Sequence, residues 1–305
     1  MRRLKTQVAK DRLLRRVRRQ RLKYITILPS LITILNGVCG FAAIAFAGRG
    51  MDARIGHFSA FAIAGYMILL AMFADMLDGR LARMSQSTSS FGGQLDSLCD
   101  IISFGVAPAF LVLKMLEHKV AGLAIVSPFF ANFFRRFVWL TAATYVSCAA
   151  IRLARFNVEN EEDESAHMSF IGLPSPAAAG AIISLILFHQ DTLPELAAGN
   201  SPAYAAFDNT IVFALPFVAL GVAVLMVSRI RYPHVLNVYL KGKKPLTHFV
   251  WLLLAIGVII WNLQGALVLI FCGFAVSAFA KWLYYKILRS PVALRQDLET
   301  PRTVE

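Results

Sequence analysis

The chain has 305 residues, 57% of them hydrophobic and 16% charged, with a mean hydropathy of +0.61. Those values exclude an ordinary water-soluble domain and imply several apolar runs long enough to span a bilayer. The 31 Lys and Arg outnumber the 18 Asp and Glu, for a net charge of +13. In a membrane chain this excess reads as positive-inside topology and contact with anionic lipid, and no basic–aromatic module speaks for nucleic acid.

Residues 1–23 carry eleven basic residues and one acid, Asp11. Leu4, Val8, Leu14, Val17 and Leu22 recur at near-helical spacing. The arm therefore reads as a basic amphipathic helix on the membrane surface, or as a disordered arm that only fixes orientation. The apolar run 24–48 is too long for a cleaved signal core and is read as the first span. Ser30, Thr33 and Gly37 fall on one face of it, with Asn36 beside them. Such residues serve helix packing or touch a ligand. Thr33 and Asn36 are candidates for the second role, because that end of the helix lies on the same side as the acids that follow.

The next two spans, 58–81 and 94–116, hold four aspartates. Carboxylates inside such runs are expensive and face a cavity or an ion. On a helix Asp75, Asp78, Gly79, Ala82 and Arg83 fall at i, i+3, i+4, i+7 and i+8, and Asp96 and Asp100 at i and i+4, so each set shares a face. The Ser-rich turn 85–90 points the two faces at each other. Four clustered carboxylates need cations to stay ionised. All-oxygen ligation favours Mg²⁺, Mn²⁺ or Ca²⁺ over Zn²⁺, and four carboxylates are enough for two ions, an arrangement suited to phosphoryl chemistry. Gly79 and Ala82 let a ligand lie flat on the helix, and Arg83 offers a fork of donors to phosphate.

Farther along, Pro108 is expected to kink the third helix, on which Ser103 and Ala107 share the Asp100 face. Residues 117–136 read as an outer loop, with the apolar part 120–134 re-entrant or interfacial. The fourth span, 137–156, ends in Arg152 and Arg155 at i and i+3, either as membrane anchors or as a clamp for phosphate or carboxylate. An acidic linker, 158–167, follows. Gly172-Leu-Pro-Ser-Pro176 opens the fifth span, which ends at 188. Ser175 reads as its N-cap, as a plain cap or as part of an anion site at the helix start. Residues 189–210 lack Lys and Arg and read as an outer loop. The sixth span is 211–228, the basic stretch 229–244 lies inside, and 248–260 and 265–287 form a helical hairpin. Cys39, Cys99, Cys148 and Cys272 all sit in apolar runs without C-x-x-C spacing and read as small buried hydrophobes. The expected fold is an all-α polytopic membrane helix bundle of about eight transmembrane helices with both termini cytoplasmic. It divides into the arm 1–23, a six-helix core 24–228, a C-terminal helix pair 229–288 and a polar tail 289–305.

The residues Asp75, Asp78, Gly79, Ala82, Arg83, Gly92, Asp96 and Asp100 spell D-x2-D-G-x2-A-R-x8-G-x3-D-x3-D. By this pattern the chain resembles the CDP-alcohol phosphatidyltransferases. Within that family the stretches 28–40, 100–109 and 152–157 with 172–179 are similar to the membrane phosphatidylserine synthases. The resemblance implies that CDP-diacylglycerol and L-serine give phosphatidylserine and CMP. It implies two Mg²⁺ or Mn²⁺ ions, or Ca²⁺, on Asp75, Asp78, Asp96 and Asp100, with Asp100 also the general base. Gly79, Ala82 and Arg83 would hold the CDP moiety, with Ser89 adding a hydroxyl and Thr33 and Asn36 as further CDP-contact candidates. A homodimer in a bacterial inner membrane, with its site on the cytoplasmic side, is the implied setting. Arg152, Arg155 and Ser175 are the candidates for the serine carboxylate. Two alternatives stand beside this reading: a sister transferase using choline, glycerol phosphate or inositol phosphate, and a cation transporter. Against transport count the clustering of the acids at one end of a single hairpin and the lack of an internal repeat.

Overall fold

A chain this apolar must pair its backbone N–H and C=O groups internally, which in a bilayer leaves helices. The computed structural model describes residues 29–50, 53–85, 90–126, 128–162, 169–196, 201–233 and 262–288, and these are helical almost throughout. Among them five helices are long and apolar enough to cross a membrane. The first is α1 (Pro29–Ala47). The second lies within α2 (Ala60–Ser85) and the third in one continuous rod made of α3 (Ser90–Asp100), a π-helical segment (Ile101–Val106) and α4 (Ala107–Val126). The fourth is in α5 (Pro128–Glu162). After α6 (Ser175–Leu187), a second π segment (Phe188–Thr192) and the short α7 (Leu193–Leu196), the fifth is in α8 (Ser201–Val227). A last helix, α9 (Leu263–Leu288), follows. Two small antiparallel strand pairs complete the described residues. One pairs β1 (Arg54–Ile55) with β2 (Phe58–Ser59), turning at Gly56 with φ +62°; the other pairs β3 (Ser169–Ile171) with β4 (Arg231–Pro233).

The axis of the bundle is α6. Ala178 to Ser184, Ile186 and Leu187 are all buried, as expected of a helix that is apolar on every side. Small residues let its neighbours come close. A methyl group on Gly65 of α2 would meet Leu187 at 2.9 Å, and one on Gly180 would overlap the Phe271 ring of α9.

The expected outer loop 117–136 is instead the end of α4 and the start of α5. Two of its charges, Glu117 and Lys119, have partners on helices. Glu117 pairs with Lys114 at 2.7 Å, and Lys119 pairs with Asp208. Pro128 opens α5, where a missing N–H costs little. The expected outer loop 189–210 is likewise mostly helical, and its polar groups find one another: His189 Nε2 lies 2.6 Å from Asp208 Oδ1. The stretch expected as an acidic linker begins as helix, since α5 continues to Glu162. The disturbance expected at Pro108 takes the form of the π segment before it. Proline brings no N–H to the carbonyl four residues back, and the buried Tyr145 hydroxyl donates to that carbonyl, Phe104 O, at 2.9 Å. Ser175 is not a cap. Pro174 holds the N-cap position with no side-chain cap bond, and Ser175 is the first helical residue. The arm 1–23, Ser89, the helix expected over 248–260 and the tail 289–305 lie outside the described residues.

Candidate active site

The helical period delivers Asp75 and Asp78 to one face of α2 and Asp96 to the facing side of α3. One carboxylate oxygen from each lies within 4.8 Å of the others. Asp78 is 4% exposed. Among the described residues its Oδ2, and Oδ1 of Asp96, are buried without a hydrogen-bond partner. An ionised carboxylate only accepts, and leaving it buried and unpaired is costly. A divalent cation answers that need, and three carboxylates at this spacing suit a hard ion such as Mg²⁺, Mn²⁺ or Ca²⁺. Asp100, one turn past Asp96 and also buried, stands beside the group, where the charges of Asp75, Asp96 and Asp78 act on it.

The polar face of α1 closes one side. Asn36 Nδ2 donates to Asp100 Oδ1 at 2.9 Å. The Ser103 hydroxyl donates to the Asn36 main-chain carbonyl, also at 2.9 Å. Thr33, whose hydroxyl donates to Pro29 O at 3.0 Å, lies beside Asp78. Glycines permit this approach. A methyl group on Gly37 would sit 2.9 Å from Cys99 Sγ, and one on Gly40 would sit 2.7 Å from Ser103 Cα. The small and polar residues of α1 thus serve both readings, packing the helix and lining the acids. Gly79 on α2 has open space beside it, with nothing within 4 Å of where a Cβ would be. Ala82 and Arg83 follow on the last turns of α2.

The far wall comes from α5, α6 and α8. Arg152 Nη1 donates to the Ser175 hydroxyl at 2.6 Å, and the guanidinium charge acts on Asp100 and Asp75. Its Nε is buried and has no partner among the described residues. Arg155 diverges. Its Nη1 approaches Val227 O, at the C-terminus of α8, at 3.5 Å, where a cation suits the helix dipole. The structure therefore brings Arg152 and Ser175 to the acids and sets Arg155 against α8. Sequence reasoning passed over two contributors. Asn157 Nδ2 donates to Ser97 Oγ at 2.9 Å and ties α5 to α3 beside Asp96. Tyr145 lies two helical turns before Arg152 and holds the π segment that begins right after Asp100. The signal for both was a lone polar side chain in an apolar helix close to a charged one.

The family model described as CDP-alcohol phosphatidyltransferase matches residues 26–215. Proteins named CDP-diacylglycerol–serine O-phosphatidyltransferase are similar to this chain. The one from Helicobacter pylori is 29% identical over 261 residues, covering 86% of this chain and 93% of its own length. That from Bacillus subtilis is 30% identical over 207 residues, 68% of this chain and 90% of its own. That from Methanocaldococcus jannaschii is 30% identical over 211 residues, 69% and 75% respectively.

Proposed function

The chain belongs to the CDP-alcohol phosphatidyltransferase family, and on that premise we propose that it transfers the phosphatidyl group of CDP-diacylglycerol to L-serine, giving phosphatidylserine and CMP. The relatives named for this reaction support the choice of acceptor. The observation that carries the chemistry is the group of Asp75, Asp78 and Asp96, with its buried, unpartnered carboxylate oxygens.

Asp75, Asp78 and Asp96 would hold divalent ions, with Asp100 reaching a second one. Divalent ions held there would supply neutralisation of the pyrophosphate and of the charge that develops on CMP. The CDP moiety lies along α2 over Gly79, Ala82 and Arg83, and Ser89 adds a hydroxyl. Asp100 takes the proton of the serine hydroxyl as its oxygen bonds to the diacylglycerol-bearing phosphorus and the bond from that phosphorus to CMP breaks. General-base assistance of this kind is worth about 10²–10⁴-fold. Arg152, backed by Ser175, meets the serine carboxylate, and Arg155 stays against the end of α8. Met76, Phe91 and Leu98 are exposed apolar side chains beside the acids, which suits a substrate whose acyl chains stay in lipid. The basic arm supports a site on the cytoplasmic face of a bacterial inner membrane, and the working unit is taken to be a homodimer.

The test uses purified protein in detergent with CDP-diacylglycerol, Mn²⁺ or Mg²⁺, and radiolabelled L-serine. Labelled phosphatidylserine should form, and should be lost with chelator and in Asp100→Asn. CMP release with choline, glycerol 3-phosphate or inositol phosphate but not serine would overturn the acceptor. No CMP with any alcohol would overturn the reaction.

A further inference from the structure

Asn36 has no exposed surface and is held at two points. One N–H of its side-chain amide goes to Asp100, and its main-chain carbonyl takes the Ser103 hydroxyl one turn beyond Asp100. Its side-chain oxygen, Oδ1, is buried and has no partner among the described residues, an expensive condition for a carbonyl. An oxygen that only accepts is completed by a hydrogen-bond donor or a cation. Arg152 presents the opposite case: its Nε is a buried donor without an acceptor, and its charge acts on Asp100. Two unmet groups of opposite kind therefore belong to residues grouped around one carboxylate.

A zwitterionic amino alcohol carries the complement of both. Its carboxylate suits Arg152. Its hydroxyl proton goes to Asp100 in the reaction proposed above, so the donor that remains for Asn36 is the ammonium. We propose that Asn36 is a specificity-determining residue for the acceptor: its amide N–H positions Asp100, and its Oδ1 takes a hydrogen bond from the ammonium of the incoming amino alcohol. This rests on the transferase reading. It also gives that reading a reason to prefer serine, because a quaternary ammonium has no N–H to donate and a phosphorylated polyol has no ammonium.

The test compares wild type with Asn36→Leu, which keeps the bulk and removes the polar atoms, and with Asn36→Ser, which keeps a hydroxyl should the leucine variant not fold. Steady-state constants are measured for L-serine, for 3-hydroxypropanoate (serine without its amino group) and for CDP-diacylglycerol. Mn²⁺ binding to substrate-free protein is measured by calorimetry. The serine KM should rise about tenfold or more, the range in which loss of a supporting polar contact is felt. The KM for CDP-diacylglycerol, measured at saturating Mn²⁺, should stay within about threefold, and the Mn²⁺ Kd should weaken by up to about 10- to 100-fold, because Asn36 also supports Asp100. The 3-hydroxypropanoate KM, already high in wild type, should not rise further. Equal losses for serine and 3-hydroxypropanoate would overturn the ammonium contact. A weaker Mn²⁺ Kd with an unchanged serine KM would make Asn36 a support for the ions alone and overturn the proposal. A wild type that ignores serine but releases CMP with another alcohol would bring down the acceptor reading itself, a result the variants play no part in.

Discussion

Arg152, near the end of α5, donates a 2.6 Å hydrogen bond to the Ser175 hydroxyl at the first turn of α6. The pair joins α5 to the central helix of the bundle, and it fixes a guanidinium whose Nε has no acceptor among the described residues. Arg152→Lys keeps the charge and loses the fork. It should raise the serine KM by about 10- to 100-fold, the worth of a charge-assisted bond. Ser175→Ala removes only the support and should raise it by less than about tenfold. Serine kinetics unchanged in Arg152→Lys would remove Arg152 from the acceptor site.

The carboxylate group predicts a metal-dependent stability. Asp75, Asp78 and Asp96 repel one another until a cation sits among them. Mn²⁺ at about a hundred times its Kd should stabilise the wild type by about 2.7 kcal/mol, seen as a rise of several degrees in Tm. Asp78→Asn relieves part of the repulsion. Without metal it should melt above metal-free wild type, and Mn²⁺ should add little to it. A metal-free Asp78→Asn that melts below wild type would show that these carboxylates do not strain the fold.

How far the sequence could be read depended on whether the deciding contact was local. The faces of α2 and α3 were legible because the helical period alone sets which residues of 75–100 point together. The stretch 117–136 was misread because Lys119 and Arg135 look like loop charges until Asp208, 89 positions beyond Lys119, is placed beside the lysine. Arg152 and Arg155 were legible as neighbours on one side of a helix. Their separate partners, Ser175 and Val227, belong to α6 and α8, and no spacing within α5 reports on those. Ser175 read as a cap from its place before Pro176; the hydroxyl serves Arg152 instead, a contact made 23 residues away.

The approach of α1 to the acids depends on having no side chain at Gly40. A methyl group there would lie 2.7 Å from Ser103 Cα, which is backbone and cannot swing aside. Gly40→Ala should cost about 1–3 kcal/mol of stability, the usual penalty for overpacking. It should lower kcat more than that loss suggests, because the same shift stretches the Asn36–Asp100 bond. Gly79→Ala is the control in stability, since open space surrounds that position. Equal melting temperatures for Gly40→Ala and wild type would show that α1 is free to move outward at no cost.

The Tyr145–Phe104 bond tests the account of the π segment. Pro108 cannot supply an N–H to Phe104 O, and Tyr145 supplies its hydroxyl instead. Tyr145→Phe should therefore leave a buried carbonyl unpaired and cost about 1–3 kcal/mol. Pro108→Ala restores a backbone donor one helical turn after Phe104. In the double variant the cost of losing the hydroxyl should shrink, with a coupling of about 1 kcal/mol or more between the two positions. Unfolding in detergent, followed for the wild type, both single variants and the double, gives that coupling directly. Strict additivity would mean that the hydroxyl of Tyr145 does not stand in for the missing proline N–H. Activity provides a second readout, because the π segment starts at the residue after Asp100. Tyr145→Phe should lower kcat while the KM for CDP-diacylglycerol holds, and Pro108→Ala should recover part of the loss.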